Sequence, residues 1–471
     1  MPSTALLWFR RDLRVADHPA LTLAAREFDR VVPVFVFDDA LLKGRFASTP
    51  RTAFMLGCLR ALDTALRDCG SGLVIRHGAP EEELAALARE TRAEAVFWTS
   101  DVAPYARARD RRVTGALADA GVRALPRGGG YVVDVSKPRS QAGKPFTIFS
   151  PFHRRWLDLK RRTIHRAPSE LPALPSSLRK GRVPSLDMLK VDGQQLDQPF
   201  CEAGELAARR ALTRWLDGGL ATYEDTHDLV AEQGTSGLSP YLRWGCISAA
   251  ECESRAVRRR GAGASAWIRQ LCWRDFFAHV MLTHPDNARL EFQPRYRDLE
   301  WVHDDDALDA WRTGTTGYPL VDAAMRQLAT TGWMHNRARL VVGSFLTKDL
   351  HLDWRLGEKH FESLLLDGEP AQNNGNWQWV SSVGVDPAPY FRRMFNPMLQ
   401  QRKFDPDGVY VRRWIPELRD VPDDKLVEPW TMTDDEQAAA NCVIGRDYPA
   451  PIVEHAAERR RAVQRYQAVG S

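Results

Sequence analysis

The residues able to do chemistry concentrate in five short strings of the second half of the chain: Gly234–Tyr241 (GTSGLSPY), Trp273–Phe277 (WRDFF), Thr316–Gly332 (TGYPLVDAAMRQLATTG), Trp333–Arg339 (WMHNRAR) and Asp367–Trp379 (DGEPAQNNGNWQW). None of them makes an acid–base or metal centre. The sequence has no H-E-x-x-H, no G-x-S-x-G and no His/Cys cluster at metal-ligand spacing. Ser177 and Lys180 match the hydrolase pattern S-x-x-K, but in a Pro-rich stretch with no partner motif. His335 reads as a structural histidine. What the strings offer is binding chemistry for phosphates and flat rings. Thr235, Ser236 and Ser239 lie in a Gly-containing loop before Pro240, where hydroxyls and backbone N–H groups can converge on an anion. Arg274, Arg337 and Arg339 fall on predicted helices beside Trp273 and Trp333, a mixture suited to a flat charged ligand. Asn373-Asn374-Gly375-Asn376 supplies amides between two glycine-permitted turns, next to Trp377 and Trp379. The alternative for any one string is an Asn/Gly helix end among core tryptophans; five such strings in one region argue against it.

Two different kinds of element must position these residues. Over residues 1–130 short apolar runs alternate with helical patterns. The spacing predicts strands at Ala5–Phe9, Val31–Phe37, Leu73–Arg76 and Ala95–Thr99, with helices at Pro19–Glu27, Arg51–Arg67, Pro80–Glu90 and Pro104–Ala120. That alternation implies crossover units on a parallel sheet, a Rossmann-like α/β domain. The glycine fingerprints of nucleotide loops are missing, and Gly128-Gly129-Gly130 reads as a turn closing the domain. Residues 131–200, rich in Pro, Ser and basic side chains, read as a long connector. From 201 to 471 the strand pattern disappears. Apolar residues at three- and four-residue spacing predict helices at Glu205–Trp215, Ala266–Thr283, Asp305–Thr313, Leu320–Thr330, Arg337–Leu350, Glu358–Leu366 and Glu454–Gln467, an all-α domain.

Composition narrows the class. The chain has 471 residues, 44% hydrophobic and 27% charged, which fits a multidomain globular protein and excludes disordered and fibrous ones. No run approaches the roughly 18 apolar residues of a membrane span. The N-terminus sets its apolar run before its arginines, the reverse of a secretory signal. Seven scattered cysteines, with no C-x-x-C pair, predict reduced thiols in a cytoplasmic protein and no metal. The net charge of +4 is too small to imply nucleic acid by itself. Of the 15 tryptophans, 12 lie beyond residue 200, in the same half as the five strings.

Taken together, WFRRDLR with DHPAL, TSGLSPYLRWG, WRDFF, TGYPLVDAAMRQL, GWMHNR, and NNGNWQW followed by PYFRR and FNP resemble the DNA photolyase and cryptochrome family along nearly the whole chain. The bacterial class I cyclobutane pyrimidine dimer enzymes are the branch most similar. The resemblance implies an α/β domain joined by a long linker to a helical domain that holds FAD. It implies that Tyr223 and the run Thr235, Ser236, Gly237, Leu238 and Ser239 contact phosphates and ribityl chain, with Arg274, Asn336 and Glu369 in the same pocket. Asp367 and Arg339 would pair beside the flavin ring, and Asn373 would face its N5. Trp377, Trp354 and Trp301 would form an electron relay from pocket to surface. Trp273 and Trp379 would wall the lesion cavity, as in an enzyme that takes its base pair out of the stack. Arg337 and Arg392 would meet backbone phosphates. The implied activity is light-driven repair of pyrimidine dimers in damaged DNA by a monomer that also binds single-stranded DNA.

Three departures fall at the lesion site. Gln270 stands where the family places Glu; it can donate a hydrogen bond but cannot supply a proton. Leu340 replaces a Met, and His227 an Arg. Glu369 stands for a common Asp, and PYFRRMFNP holds one residue more than the pattern PYFR-x-FNP. These leave open a second reading, a cryptochrome-like light receptor that binds DNA with little repair. For a light-gathering second chromophore, Tyr105-Ala106 replaces the Asn-Glu of folate-binding relatives. The string DVAPYARARD is closer to deazaflavin binders, and an empty antenna site is the third reading.

Overall fold

The four apolar runs that the spacing predicts as strands in the first hundred residues are strands, and the helical patterns between them are helices. In the computed structural model, which describes residues 2–45, 47–232, 234–385 and 389–470, β1 (Thr4–Phe9), β2 (Arg30–Phe37), β3 (Val74–His77), β4 (Ala95–Thr99) and β5 (Arg123–Arg127) form one parallel sheet. Its order is β3-β2-β1-β4-β5. The strand β5, RALPR, was not expected from the pattern. It is an edge strand, half-exposed, and the edge tolerates its Pro126.

Alternation along β1 divides the core. Ala5, Leu7 and Phe9 point to the side covered by the helices Pro19–Glu27 and Thr49–Asp68. Leu6 and Trp8 point to the side covered by Pro80–Thr91 and Pro104–Asp119. The first of these cores does not stop at the domain edge. It continues through Phe152 and Trp156 into Trp215, Tyr241, Trp267 and Phe276 of the helical half. The connecting stretch therefore packs as well as links: it carries the helix Phe149–Asp158, with Phe152 and Trp156 wholly buried.

The second half is helical among the described residues. The helices that matter for the strings are Ser239–Trp244, Ala262–Thr283, Pro319–Thr331, Asn336–Ser344, Trp354–Leu364 and Pro370–Val380, with His455–Gly470 near the end. Two local expectations change. Asn373 to Asn376 do not lie between turns but inside the helix Pro370–Val380, entered through Pro370 and tolerating Gly375 because a side chain there would strike the Phe277 ring at 2.2 Å. The expected helix 337–350 ends at Ser344 and gives way to the π-helical Phe345–Asp349. No helix among the described residues is long and apolar enough to cross a membrane.

Candidate functional site

Short contacts bring four of the five strings together. Trp333 Nε1 donates to Ser239 Oγ at 3.2 Å, and its indole stacks on Phe200 with centroids 4.2 Å apart. Gly237, at φ +61°, faces that same Phe200 ring. Arg339 forms a two-point pair with Asp367, at 2.8 and 3.2 Å, and its Nε reaches the Met334 carbonyl at 2.9 Å. Arg337 pairs with Asp228, five residues beyond the buried Tyr223, and lies over the Phe404 ring at 4.4 Å. The amide of Leu366 donates to the Gly332 carbonyl at 2.9 Å. Segments around 223–239, 333–339 and 366–373 thus converge.

Asn373 is buried and donates through Nδ2 to the Glu358 carbonyl at 2.9 Å and to Glu362 Oε2 at 3.2 Å. Its Oδ1 makes no hydrogen bond to the described residues. Asn373 lines a cavity, and this oxygen is not sealed off by protein, so it can accept from a ligand there. An acceptor held there suits a ring N–H such as a flavin presents, and the pair Arg339–Asp367 supplies charge of both signs, so the residues present fit the group. His335 settles into the structural role expected of it. It caps the helix Asn336–Ser344 by accepting the Arg337 N–H on Nδ1 at 3.1 Å, and burial pushes its pKa down to about 4, so it stays neutral.

The tryptophans share one apolar cluster. Trp377 and Trp354 are buried in it, and Trp301 and Trp379 pack on it half-buried. Trp354 opens the helix Trp354–Leu364 and donates from Nε1 to Glu291 at 3.2 Å. The bridge Val302–Leu352 brings Trp301 into the neighbourhood of Trp354. Trp377 packs so closely that a side chain at Gly357 would meet its ring at 2.2 Å. Trp273 is half-buried with one face taken by Phe149, 3.6 Å away and inclined by 3°. Gln270 and Asn336 are exposed, Leu340 is half-buried, and Arg392 is exposed with no side-chain hydrogen bond or ion pair to the described residues. His227 folds back on the Tyr223 carbonyl at 2.9 Å.

Two expected pocket residues are instead engaged at the seam between the halves. Glu369 is buried against Arg274 at 3.2 Å, Arg11 at 3.2 Å and Tyr131 Oη at 3.2 Å. Burial alone would raise its pKa, but Arg274, Arg11 and Arg243 outweigh burial and hold the carboxyl below its ordinary value. Arg274 also donates to the Gly130 carbonyl at 2.8 Å. The seam leads into a cavity of about 1050 Å³ at the carboxyl ends of the strands. Phe37, Asp38, Tyr105 and Arg109 line it on the sheet side, Glu358 and Asn373 on the helical side. Strand order reverses between β1 and β4, and an open α/β sheet binds ligands at that point. Tyr105 donates to Asp38 at 2.5 Å, and burial pushes its pKa up to about 12. The sequence signal for this cavity is the end of each strand, together with Tyr105-Ala106 in the string DVAPYARARD.

Comparison with known proteins gives consistent results. The family described as DNA photolyase matches residues 5–175, and the FAD binding domain of DNA photolyase matches residues 267–468. A deoxyribodipyrimidine photo-lyase of Streptomyces griseus is 42% identical over 462 residues, 98% of each chain. A bacterial class III photolyase from Agrobacterium tumefaciens superposes with a TM-score of 0.93 at 34% identity, covering 100% of this chain and 98% of that one. A cryptochrome from Synechocystis gives 0.91 at 28% identity, covering 98% of this chain and 99% of that one.

Proposed function

Because the chain belongs to the DNA photolyase family, we propose that it is a light-driven enzyme that splits cyclobutane pyrimidine dimers in DNA. The observation that carries this reading is the end-to-end likeness to a deoxyribodipyrimidine photo-lyase at 42% identity. The receptor alternative is not favoured, since the cryptochrome neighbour is less similar, at 28%, than the photolyase neighbour at 34%.

The helical half binds FAD. When bound, reduced and excited by light, FAD supplies one electron to a pyrimidine dimer. Every other task belongs to the chain. Tyr223 and the loop Thr235–Ser239 hold the phosphate end. Arg339 and Asp367 fix each other beside the ring, and Asn373, anchored by Glu358 and Glu362, presents Oδ1 to it. Asn336 borders the same pocket, while Arg274 and Glu369 support it from the seam. Trp301, Trp354 and Trp377 carry electrons inward from the surface. Trp354 and Trp377 suit the task because close packing restrains them, so little reorganisation accompanies each step. Trp273 and Trp379 receive the extruded dimer, with Gln270 and Leu340 on its other sides. Arg337 and Arg392 contact phosphates, in duplex and in single-stranded DNA. The sheet side of the cavity, at Phe37, Asp38, Tyr105 and Arg109, is where a light-gathering deazaflavin or folate would sit. The free cysteines fit a monomer working in the reducing cytoplasm.

The deciding test illuminates the reduced protein with oligonucleotides carrying a cyclobutane dimer or a (6–4) photoproduct and follows restored thymine absorbance. Recovery is expected for the cyclobutane dimer. No recovery with either lesion removes the enzyme reading.

A further inference from the structure

Arg392 and Arg393 are neighbours in the chain with opposite environments. Both end the short turn Tyr390–Arg393, yet Arg392 is exposed and Arg393 is 2% exposed. The sequence PYFRRMFNP, one residue longer than the family pattern, makes room for both. The Arg393 guanidinium lies over Trp379, with Cζ 4.1 Å from the ring centroid, and Nη1 donates to the Trp379 carbonyl at 3.1 Å.

That placement is anchored from behind. The Arg393 carbonyl accepts from Lys348 Nζ at 2.6 Å and from Ser344 Oγ at 3.2 Å. Lys348 is 1% exposed, and its Nζ also meets the Val380 carbonyl at 2.7 Å and Ser382 Oγ at 3.1 Å. Ser344 also accepts the Phe395 N–H at 3.1 Å. One buried lysine thus ties the end of the Pro370–Val380 helix to the turn that carries Arg393, and the turn delivers its guanidinium to an indole on the last turn of that same helix.

We propose that Arg393 is a positioning residue for Trp379: it fixes the indole with a cation on one face, so that the remaining ring surface is set in advance for a stacked pyrimidine. This rests on the reading in which Trp379 walls the lesion cavity. Whatever rotamer freedom an indole keeps, a ligand must remove on binding. A guanidinium stacked on the ring and bonded to the same residue's carbonyl removes that freedom beforehand. Undamaged DNA, held by phosphate contacts, gains nothing from it.

The test uses the full-length, FAD-loaded protein at one salt concentration, with an oligonucleotide containing a single cyclobutane dimer and the same sequence undamaged. Arg393→Met should weaken dimer binding roughly tenfold and leave undamaged DNA unchanged, while Arg393→Lys, which keeps a cation, should recover most of the loss. In a Trp379→Ala background, Arg393→Met should add no further loss. Should Arg393→Met fail to accumulate with FAD bound, Arg393→Gln, which keeps an N–H donor but no charge, is read the same way. Equal losses on both DNAs, or an undiminished loss in the Trp379→Ala background, overturn the proposal. If Trp379→Ala alone leaves dimer binding intact, the lesion-wall reading fails and this inference with it. If Trp379→Ala weakens dimer binding and the Arg393 variants do not, only the positioning role is overturned.

Discussion

The indoles of Trp311 and Trp377 meet edge to face, with centroids 6.1 Å apart and planes inclined by 70°, and Phe361 closes on Trp377 from 5.0 Å. Trp311 is wholly buried and its Nε1 is spent on the Val342 carbonyl at 3.0 Å. It packs Trp377 in place but opens no path to solvent. Trp377→Phe should therefore keep the fold and abolish photoreduction of oxidised FAD with an external reductant, while Trp311→Phe should leave photoreduction near the parent rate. Trp301→Phe should leave the first charge separation intact and shorten its lifetime. Transient absorption reads all three; normal photoreduction in the Trp377 variant would mean that another ring supplies the electron.

Asp275 predicts a pH dependence of stability. It is fully buried on the Ala262–Thr283 helix and accepts from Trp156 Nε1 at 2.9 Å, Val133 N at 3.1 Å and Val132 N at 3.3 Å. Burial is the larger influence and raises its pKa to about 6 against these donors. The folded protein keeps the proton to higher pH than the unfolded chain, so the stability linked to this group is full below about pH 4 and lost as pH rises through about 6. The swing is about 3 kcal/mol. Melting temperatures measured from pH 4 to 7 should show this slope in the parent and lose it in Asp275→Asn.

DNA affinity should be salt-sensitive through few contacts. Arg337 is already paired with Asp228, and His227 is turned onto the Tyr223 carbonyl. With Arg337 and Arg392 as the phosphate contacts, a log–log salt slope of roughly −1 to −2 is expected. Arg392→Ala should reduce it by about one unit on damaged and undamaged DNA alike. An unchanged slope would remove Arg392 from the interface.

Gln270 is exposed one helical turn before Trp273, so a change there leaves the core undisturbed and tests the proposed lesion contact. Gln270→Glu should raise the quantum yield of dimer splitting, because a protonated carboxyl can pass its proton to the developing charge where the Gln amide can only hydrogen-bond it, a general-acid contribution typically worth about 10²-fold or more. Binding should change little. Adding Leu340→Met should tighten the fit, without simple additivity. If the double variant splits dimers no better than the parent, position 270 does not limit the chemistry.

The sequence by itself determined what depends on neighbours along the chain. The strand Ala95–Thr99 and the helices Pro19–Glu27 and Asp305–Thr313 stand where apolar period and capping residues put them, since those signals are local. The motif strings carried the family as well, because their residue types are too specific to arise from packing. Tertiary structure decided what depends on partners distant in sequence. β5 has no apolar alternation and is a strand only because β4 offers an edge to pair with. Arg274 and Glu369 lie inside the flavin strings yet meet Gly130, Tyr131 and Arg11 across the seam, since a buried carboxylate goes where several cations can surround it. Arg392 and Arg393 are the same residue type side by side; tertiary bonds, among them those of Lys348 and Ser344 to the Arg393 carbonyl, hold the turn in which one faces solvent and the other covers Trp379.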